Sequence, residues 1–588
     1  MSALLSSIDD LKKNEKQWEA FTATGQVVVM APPGSGKTKL LSTRMAYDLE
    51  FLAQPQGIAG ITLTNAAAGE LRRRVNQLGV RPRANIFVGT VHSFALRRIL
   101  LPFAEVCGMG DLVKREVATR KQINKAFRDA IKLVYEPWED TQGVQSTVQR
   151  HRKMLASENE WRLAGEKIRR VALHYDRLLR DQGLTDFDTL IASAVELVQD
   201  HAFVRDLLIA EYPKIYVDEY QDLAPGLDRI IRLLCFEGQK RAQLFAVGDH
   251  DQAIYGWTGT RPELLHELSA HSAVNPVRLN KNYRCARKII DSASLLLGIS
   301  DIDGVTDGGE VEAFYCRTGT KGQAERAADL AQQAIAEGTP AHEIGILCPT
   351  GHYSKTVVDA FRRRGIPICD NASPYSASPV ALFVEKLAAW IVHGEVGGGL
   401  DFSELIAEWR HFLRGELGDL SIELRLMQLV KNSKAASGET AYGFLERLLA
   451  SGLSVVQRDP AMAEDASALM EMSDAFQGGG ELEDWCVSDL ADRGMRAGRV
   501  AVYTVASCKG LEFDISIILG ADEGMMPHFT SLRDGGKLAE DRRKFYVAVT
   551  RSRHKTYILY SLFPEWASGK RGRMNGPSRF LREMGLLE

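Results

Sequence analysis

The 588-residue sequence contains few cysteines and no long apolar run. Its eight cysteines are scattered, and the closest two are Cys348 and Cys369, so the sequence predicts neither a disulfide framework nor a Cys-x-x-Cys metal clip. No stretch approaches the roughly eighteen apolar residues that a membrane span needs, and residues 1–13 include acidic side chains. We therefore expect a cytoplasmic protein, in a reducing compartment and without a membrane partner.

The composition is otherwise that of an ordinary globular protein. Hydrophobic residues make up 45% and charged residues 25% of the sequence, which excludes a disordered or collagen-like chain. At roughly 100 to 200 residues per domain, the length of 588 residues predicts three to five domains.

The sequence also has almost no excess of charge of either sign, because 73 Lys and Arg oppose 76 Asp and Glu. This balance argues at first against a nucleic-acid partner, but a sum over several domains can hide opposite contributions. Residues 61–180 contain 23 basic and 12 acidic residues, whereas residues 391–490 contain 7 basic and 18 acidic residues. The basic segment can neutralise several phosphates or form a solvated helix surface, so charge alone leaves both interpretations open.

An apolar run at Val27–Met30 is followed at once by a glycine-rich turn and then by a helical pattern. This order is typical of a phosphate-binding loop, in which backbone N–H groups close around phosphate oxygens. The candidate nucleotide ligands are Gly34, Ser35, Gly36, Lys37 and Thr38. Of these, Lys37 would reach the β and γ phosphates, and the Thr38 hydroxyl would bind Mg²⁺. The motif starts with Ala31 where glycine is usual, and an ordinary strand–turn–helix connection is the alternative interpretation.

A second apolar run, Ile215–Val217, ends in the acidic pair Asp218 and Glu219. At such a position the Asp218 carboxylate can bind the water shell of a metal ion, while Glu219 can polarise an attacking water molecule. An acidic pair that ends a strand otherwise commonly caps a helix. The pair is informative here because a phosphate loop needs a second element to hold Mg²⁺ and to activate water.

A third apolar run, Leu244–Val247, leads to a segment with an amide and two aromatic rings. The amide of Gln252 could sense a γ-phosphate, and the rings of Tyr255 and Trp257 are expected to be exposed and to stack on unpaired bases. Isolated aromatic side chains lie more often in a hydrophobic core. The presence of the two earlier motifs favours the stacking interpretation.

These segments resemble the motifs of superfamily 1A helicases, the family of UvrD, Rep and PcrA. Further matches to the family's motifs lie at residues 14–21, 62–70, 89–94, 279–284, 504–513, 540–551 and 577–580. The resemblance implies that Gln17 reads the adenine, that Tyr283 stacks on it, and that Glu512 also belongs to the nucleotide site. It further implies that Arg284 touches the γ-phosphate and that Arg551 acts as an arginine finger.

The resemblance also implies a complete set of site residues. The residues expected to contact DNA are Thr64, Asn65, His92, Tyr255 and Trp257. The expected catalytic residues are Lys37, Asp218, Glu219, Gln252, Arg284 and Arg551, with ATP and Mg²⁺ as cofactors and with Thr38 and Asp218 as the metal-binding residues. Since Arg284 and Arg551 belong to the second of two expected core domains, the two domains must close on ATP to complete the site, and their separation after hydrolysis would move a bound strand.

Alternating strand-like and helical patterns predict an α/β fold with two core domains, and the resemblance implies that both are RecA-like phosphate-loop domains with parallel sheets. The first core is expected at 1–94 and 186–276, interrupted by a helical insertion at 95–185. The second core is expected at 277–384 and 497–588, interrupted by a short, acidic, helical insertion at 385–496. Besides the three runs above, strands are expected at 58–62, 311–315, 344–348, 501–505, 515–519 and 557–560.

Three positions depart from the residues that the family usually carries. Ala66 replaces a lysine, Thr258 replaces an arginine, and Ala506 replaces a histidine. All three fall on residues that touch the strand or couple it to ATP, whereas the groups expected to bind nucleotide are all present. The pattern therefore favours ATP hydrolysis over processive unwinding.

The favoured function is a DNA-stimulated, Mg²⁺-dependent ATPase that translocates on single-stranded or tailed DNA, by resemblance in the 3′ to 5′ direction, and separates duplexes. The alternative is a DNA-responsive ATPase subunit that regulates a partner nuclease in anti-phage defence, with little unwinding of its own, because the short insertion and the missing coupling residues resemble Gabija-type helicase subunits. Such a protein partner would meet the acidic insertion at 385–496, for which a solvated helical face is the alternative.

The sequence also bears on two other possibilities, an intrinsic nuclease activity and RNA as the bound nucleic acid. An intrinsic nuclease is excluded, because only 37 residues follow the last long motif, too few for a nuclease domain. RNA stays open as a partner, because base stacking tolerates any base and no feature of the sequence would read a 2′-hydroxyl.

Overall fold

The structure is a computed structural model that describes residues 2–80, 85–256, 259–370, 375–376, 378–398, 401–413, 420–434, 438–494, 497–565, 572 and 575–588. Within these residues there are sixteen strands: β1 (Gln26–Met30), β2 (Ile58–Thr62), β3 (Ile86–Thr90), β4 (Glu116–Val117), β5 (Leu184–Thr185), β6 (Lys214–Val217), β7 (Gln243–Gly248), β8 (Val274–Arg278), β9 (Lys281–Ala286), β10 (Asp303–Thr306), β11 (Glu310–Tyr315), β12 (Ile344–Cys348), β13 (Ile368–Asp370), β14 (Val500–Thr504), β15 (Phe513–Ile518) and β16 (Ser552–Tyr560).

The helices alternate with these strands or form groups of their own. Those in the first 181 residues are α1 (Ser2–Lys12), α2 (Glu15–Thr22), α3 (Lys37–Phe51), α4 (Asn65–Gln77), α5 (Val91–Phe94), α6 (Leu101–Phe103), α7 (Gly110–Val113), α8 (Arg120–Lys132), α9 (Val144–Lys153), α10 (Glu158–Ala164) and α11 (Glu166–Asp181). Those that follow up to residue 363 are α12 (Phe187–Asp200), α13 (Ala202–Glu211), α14 (Pro225–Cys235), α15 (Glu263–Ser269), α16 (Arg287–Leu297), α17 (Gly319–Ala336) and α18 (Gly351–Arg363). The remaining ones are α19 (Pro379–Gly398), α20 (Phe402–Phe412), α21 (Leu420–Lys434), α22 (Ala441–Leu448), α23 (Ser454–Arg458), α24 (Ala463–Phe476), α25 (Val487–Gly494), α26 (Gly535–Val549) and α27 (Arg579–Glu583). None of the helices in the described part of the chain is both long and apolar enough to cross a membrane.

Six parallel strands form the first sheet in the order β3–β2–β6–β7–β1–β8. Helices cover both faces of a parallel sheet, which is why its inner strands are mostly apolar, and all five residues of β2 are buried. The carboxyl ends of parallel strands meet at one edge, and the neighbouring strands β6, β7 and β1 end there side by side. This edge brings together the segments that begin at Ala31, Asp218 and Asp249.

A second sheet, also of six parallel strands, has the order β11–β16–β15–β12–β14–β13. Its central strand β12 is buried along its whole length. Two short parallel pairs, β9 with β10 and β4 with β5, complete the strand pairing. The two parallel sheets confirm the predicted α/β fold class.

All nine strands that the sequence predicts are present, and seven others were missed. Three of the missed strands, β3, β8 and β13, lie at sheet edges, where one-sided pairing leaves a weaker apolar pattern. Strand β8 even contains Asn275 and Pro276, which are depleted in central strands. The remaining missed strands belong to the two short pairs.

Two groups of helices have hydrophobic cores separate from the sheets. In the group around α8 and α11, the rings of Phe127 and Tyr175 are stacked with their centroids 3.8 Å apart. In the group around α19 to α25, Trp409 is buried and its indole N–H donates to Ile422 O at 2.9 Å. The groups lie in the segments where the sequence predicts insertions, while the domain boundaries themselves stay a prediction.

The second helical group also touches the basic segment near the first sheet. Arg120 Nε lies 3.6 Å from Glu471 Oε1, and Lys121 Nζ lies 3.8 Å from Asp474 Oδ2. Both acidic residues belong to α24. The basic and acidic segments therefore face each other within one chain, and part of the acidic surface is covered by the chain itself.

Candidate nucleotide and strand-contact site

The loop between β1 and α3 depends on its glycines. Gly34 and Gly36 have φ values of 65° and 82°, a region that favours glycine. A Cβ atom at Gly34 would lie 2.6 Å from the Cβ atom of Arg284, and one at Gly36 would lie 2.8 Å from Gln17 Nε2. Both the backbone conformation and the close neighbours therefore require glycine at these positions.

Polar side chains hold this loop from two sides. The Gln17 amide donates to Ser35 O at 2.8 Å, and the Tyr283 backbone N–H donates to Gly34 O at 2.8 Å. The Tyr283 hydroxyl accepts a hydrogen bond of 2.8 Å from Asn14 Nδ2, which anchors a ring that is 45% exposed. Gln17 and Tyr283, the two residues expected at the adenine, thus border the same loop, and the tyrosine ring is open to a ligand.

Asp218 and Glu219 lie directly after β6, beside the first turn of α3. Asp218 is buried, and the Thr38 hydroxyl donates to its Oδ2 atom at 3.4 Å. Burial, together with the neighbouring Glu219 carboxylate, raises the pKa of Asp218 to about 7. Glu219 has a φ of 52°, a left-handed conformation that is rare outside glycine and that concentrates at functional sites.

Two lysines flank the Glu219 carboxylate. Lys37 Nζ lies 3.9 Å from Glu219 Oε1, and Lys509 Nζ lies 3.7 Å from Glu219 Oε2. Burial disfavours the charged carboxylate, but these two ammonium groups outweigh that effect and lower the pKa of Glu219 to about 2. Lys37 also donates to Ala31 O at 3.2 Å and lies 3.9 Å from Asp249 Oδ2. Glu219 is therefore ionised at neutral pH and can accept a hydrogen bond from water.

Gln252 lies where elements of both sheets meet. Its side-chain N–H donates to Asp249 Oδ2 at 2.5 Å, and its Oε1 atom accepts a hydrogen bond from Arg551 at 3.3 Å. Arg551 is 1% exposed, and burial, with the nearby Arg284 charge, lowers the pKa of its guanidinium. Arg284 forms an ion pair with Glu512, and the buried Nε atom of Arg284 has no hydrogen-bond partner among the described residues. Both arginines thus approach the phosphate loop from outside the first sheet.

The residues around the loop fit a nucleotide that carries Mg²⁺. Asp218 and Glu219 are adjacent carboxyls beside Thr38, and the pKa of Asp218 is raised. A divalent cation bound here would reduce the repulsion between the two carboxylates. No group of three or more His, Cys, Asp or Glu side chains in the described part of the chain could hold a metal unaided. Thr38 and Asp218 would therefore share Mg²⁺ with phosphate oxygens, which is how proteins commonly bind this ion.

The loops after β2 and β3 carry the first three residues expected to contact DNA. Thr64 is exposed and caps α4 by accepting from Ala67 N at 3.2 Å. Glu464 of α24 accepts a hydrogen bond of 3.2 Å from Asn65 Nδ2. Burial lowers the pKa of His92 and outweighs the negative charge of Glu464, which favours a raised pKa. A carboxylate from the second helical group therefore lies on the expected strand-contact surface.

Tyr255 is not the exposed ring that the sequence predicts. It is half-buried, packs against the hydrophobic cluster of the second sheet, and donates from its hydroxyl to Ala506 O at 2.9 Å. The prediction of exposure was wrong because the covering residues come from a distant part of the chain. Trp257 and the adjacent Thr258 lie outside the described residues.

Four neighbours of the site are not among the residues that the sequence predicts. They are Asn14, Asp249, Asn282 and Lys509. Each lies inside or at the end of a segment that matches a family motif, so the available signal was a polar side chain within a motif. Asn282, for example, donates to Pro33 O at 2.7 Å and so supports the phosphate loop directly.

A glycine-dependent phosphate loop at the carboxyl edge of a parallel sheet, with a second parallel sheet beside it, defines a RecA-like phosphate-loop protein. Comparison with family models narrows this class. Residues 13–273 match the UvrD/REP helicase N-terminal domain, and residues 482–562 match the UvrD-like helicase C-terminal domain. Together the two matches cover more than half of the chain. The chain therefore belongs to the UvrD/REP helicase family.

Curated relatives match nearly the whole chain at modest identity. The chain is 26% identical to DNA helicase II of Escherichia coli strain K12 over 666 aligned positions, which cover 99% of this chain and 88% of the relative. It is 26% identical to the ATP-dependent DNA helicase PcrA of Staphylococcus aureus strain MRSA252 over 669 positions, which cover 100% of this chain and 88% of the relative. DNA helicase II of Salmonella typhimurium is 25% identical, with 99% and 88% coverage.

Proposed function

We propose that the protein is an ATP-dependent DNA helicase that hydrolyses ATP as it moves along single-stranded DNA. The observation that carries the proposal is the hydrogen bond between Gln252, which follows β7 of the first sheet, and Arg551, which directly precedes β16 of the second. Gln252 would sense the γ-phosphate, and it is in direct contact with the buried Arg551. The rate of hydrolysis would therefore depend on the relative position of the two sheets. The names of the relatives, DNA helicase II and ATP-dependent DNA helicase PcrA, support the same conclusion.

The side chains around the loop have the chemistry that phosphoryl transfer to water needs. Catalysis of this reaction consists mainly of positioning and of neutralising charge on the phosphate oxygens. Lys37, Arg284 and Arg551 supply three cations around the loop, and Mg²⁺ would add to them when nucleotide binds. Glu219, ionised at neutral pH, would orient the attacking water.

Movement along DNA would follow from the way the site is assembled. The cations Arg284 and Arg551 come from elements outside the first sheet, so closure of the two sheets on ATP completes the site and hydrolysis releases it. Each closure would shift the strand-contact loops that carry Thr64, Asn65 and His92. By family resemblance the direction of movement is 3′ to 5′.

A strand-displacement assay tests this proposal. Fluorescently labelled duplexes with a 3′ or a 5′ single-stranded tail are incubated with the protein, ATP and Mg²⁺. We expect displacement from the 3′-tailed duplex, loss of activity in Lys37→Ala, and activity in Lys39→Ala, a matched lysine on the same helix that instead lies 3.0 Å from Asp10. Displacement from the 5′-tailed duplex alone would contradict the direction, and ATP hydrolysis without displacement of either would contradict the helicase activity.

A further inference from the structure

A cavity of about 330 Å³ lies where the helical group around α8 and α11 meets the first sheet. Its lining comes from helices α9, α10 and α11, from strand β5, and from α12, which packs in the core of the first sheet. Sites for small organic ligands have volumes of about 300 to 1,000 Å³. The cavity is therefore large enough for a small molecule, and it shares no lining residue with the phosphate loop.

Three aspartates beside this cavity share one arginine. Arg152 donates to both carboxylate oxygens of Asp186, at 2.6 and 3.0 Å. The same guanidinium lies 3.0 Å from Asp176 Oδ1 and 3.7 Å from Asp188 Oδ2. Asp188 accepts no hydrogen bond from the described residues, and the nearby Lys153 attracts its charge without forming an ion pair. The charges of Asp176 and Asp188 are thus only partly neutralised.

This shortage of positive charge destabilises the two carboxylates that line the cavity. Burial is the main reason that the pKa of both Asp176 and Asp188 is raised, to about 6 in Asp188. A carboxylate that is buried without enough positive charge costs free energy, and groups with strongly shifted pKa values cluster at functional sites. A cation in the cavity would stabilise both carboxylates.

An unsatisfied hydroxyl lies in the same wall. Thr185 of β5 lines the cavity and is 3% exposed, and its Oγ1 atom has no hydrogen-bond partner in the described part of the chain. Buried polar groups nearly always have a partner, because leaving one unpaired costs free energy. A ligand that bonds to this hydroxyl would supply the missing partner.

An aromatic ring and two arginines complete the charged and polar lining. Trp161 lies beside His151, with the two ring centroids 5.0 Å apart, and a tryptophan face attracts cations. Arg115 and Arg180 line the cavity as well, and neither forms an ion pair within the described ranges. Arg180 is exposed, as is Glu196, the remaining charged side chain of the lining. Negative charge therefore lies in the buried part of the cavity and two cations lie nearer to solvent.

We infer that this cavity binds a small zwitterion with a guanidinium group at one end and a carboxylate at the other. The guanidinium would lie among Asp176, Asp188 and Thr185, and the carboxylate would lie at Arg115 and Arg180. A planar guanidinium has five N–H donors, so it can bond to two carboxylates and a hydroxyl at once and can stack on an aromatic ring.

A metal ion fits this cavity less well than an organic cation. No group of three or more His, Cys, Asp or Glu side chains in the part of the chain that the structure describes could hold a metal. The inference goes beyond the proposed function, since none of the residues involved belongs to the nucleotide site. It stands whether or not the protein separates DNA strands.

The test is isothermal titration calorimetry on the full chain at neutral pH, without nucleotide or DNA. Three probes differ by one group each: L-arginine has both ends, citrulline replaces the guanidinium with an uncharged urea, and agmatine lacks the carboxylate. We expect a dissociation constant of about 1 mM or below for arginine, a typical affinity for a ligand of this size. Citrulline should bind at least about tenfold more weakly, and agmatine about threefold to tenfold more weakly.

Two variants of the cavity and one control locate the binding. Asp188→Asn keeps the shape of the side chain and removes its charge, and it should fold because it removes a buried charge. Thr185→Val removes only the unpartnered hydroxyl and is the second variant if the first does not fold. Asp200→Asn is the matched control, because Asp200 is an exposed aspartate at the other end of α12.

We expect arginine to bind about tenfold or more weakly to Asp188→Asn, about threefold more weakly to Thr185→Val, and within about twofold of wild type to Asp200→Asn. Wild-type affinity in Asp188→Asn, or no binding of arginine at about 10 mM, would overturn the inference. So would citrulline or agmatine that binds as tightly as arginine, since the ligand would then need only one of the two charged ends. None of these results bears on the proposed function, because nucleotide and DNA are absent.

Discussion

The guanidinium of Arg551 donates a hydrogen bond to Gln252 Oε1 at 3.3 Å, and the two residues adjoin different sheets: Gln252 follows β7 of the first sheet, whereas Arg551 directly precedes β16 of the second. Their contact makes the arrangement of the nucleotide site depend on both halves of the protein. We expect Arg551→Lys to lower kcat by at least about a hundredfold, because an arginine that stabilises transferring phosphate contributes at least that much. Steady-state ATP hydrolysis in the presence of single-stranded DNA measures this effect.

The control for this variant is Arg542→Lys. Arg542 lies on the same helix, α26, and forms a two-bonded pair with Glu583, at 2.8 and 2.9 Å, away from the loop. Its replacement should leave kcat within about twofold of wild type. A normal kcat for Arg551→Lys would show that this arginine is not part of the reaction.

Tyr283 offers an exposed ring next to the phosphate loop and is anchored by Asn14. If the ring stacks on adenine, Tyr283→Ala should raise the KM for ATP by about tenfold or more, since stacking on a base is worth about 1 to 3 kcal/mol. Tyr283→Phe keeps the ring and loses only the hydrogen bond, so its KM should rise about twofold to fivefold. Equal effects of the two changes on ATP saturation curves would contradict stacking.

Glu464 takes up hydrogen-bond donors on the surface expected to contact DNA. Asn65 Nδ2 and Thr90 Oγ1 both donate to it at 3.2 Å. Because its charge repels phosphate and competes for these donors, we expect Glu464→Gln to tighten the binding of single-stranded DNA by about threefold to tenfold. Fluorescence anisotropy with a labelled oligonucleotide at fixed salt measures the dissociation constant.

A matched change elsewhere in the acidic segment separates this local effect from the loss of one negative charge. Glu446 is an exposed glutamate of α22. Glu446→Gln changes the net charge equally and should leave DNA affinity unchanged within about twofold. If the Glu464→Gln variant bound DNA no more tightly than this control, competition with phosphate would be ruled out.

Two aspartates near Arg152 have pKa values shifted in opposite directions. Burial disfavours the Asp186 carboxylate, but Arg152 outweighs it through bonds of 2.6 and 3.0 Å and lowers the pKa to about 2. Burial, with the Asp186 charge, raises the pKa of Asp188 to about 6 from an ordinary 3.8. The folded state therefore holds the Asp188 proton more tightly than the unfolded chain, and ionisation of Asp188 destabilises the fold as the pH rises through about 6.

Asp188→Asn should accordingly raise the thermal unfolding midpoint at pH 8 by about 2 to 4 °C. The gain in the midpoint should shrink as the pH falls towards 4, because Asp188 then binds a proton in the unfolded wild-type chain as well as in the folded one. Asp186→Asn should lower the midpoint at pH 8, since it breaks the buried pair with Arg152. Differential scanning calorimetry at both pH values checks this, and a gain at pH 8 no larger than at pH 4 would be the contrary outcome.

The sequence was sufficient to predict the fold class and the segment that forms the phosphate loop, because both signals are local. A buried parallel strand is a continuous apolar run, and the phosphate loop at Gly34 and Gly36 is short and glycine-dependent. Edge strands such as β8 escaped detection since Asn275 and Pro276 interrupt the pattern. The roles of the nucleotide residues and the domain boundaries stay predictions.

Contacts between distant parts of the chain had no local signal. Asn65 and Glu464 are 399 positions apart, and Tyr255 and Ala506 are 251 apart. The first contact places a carboxylate on the expected DNA surface, and the second covers a ring that was expected to be exposed. A nuclease partner, the role in anti-phage defence and the protein partner of the acidic insertion stay predictions, because the names of the relatives do not bear on them.

The most direct test of ATP hydrolysis at this site measures turnover by the purified protein with and without single-stranded DNA, for wild type, Lys37→Ala and Glu219→Gln. We predict that DNA stimulates turnover in the wild type and that both variants lose at least about a hundredfold in turnover, because each removes a group that phosphoryl transfer needs. Wild-type turnover in both variants would contradict this prediction.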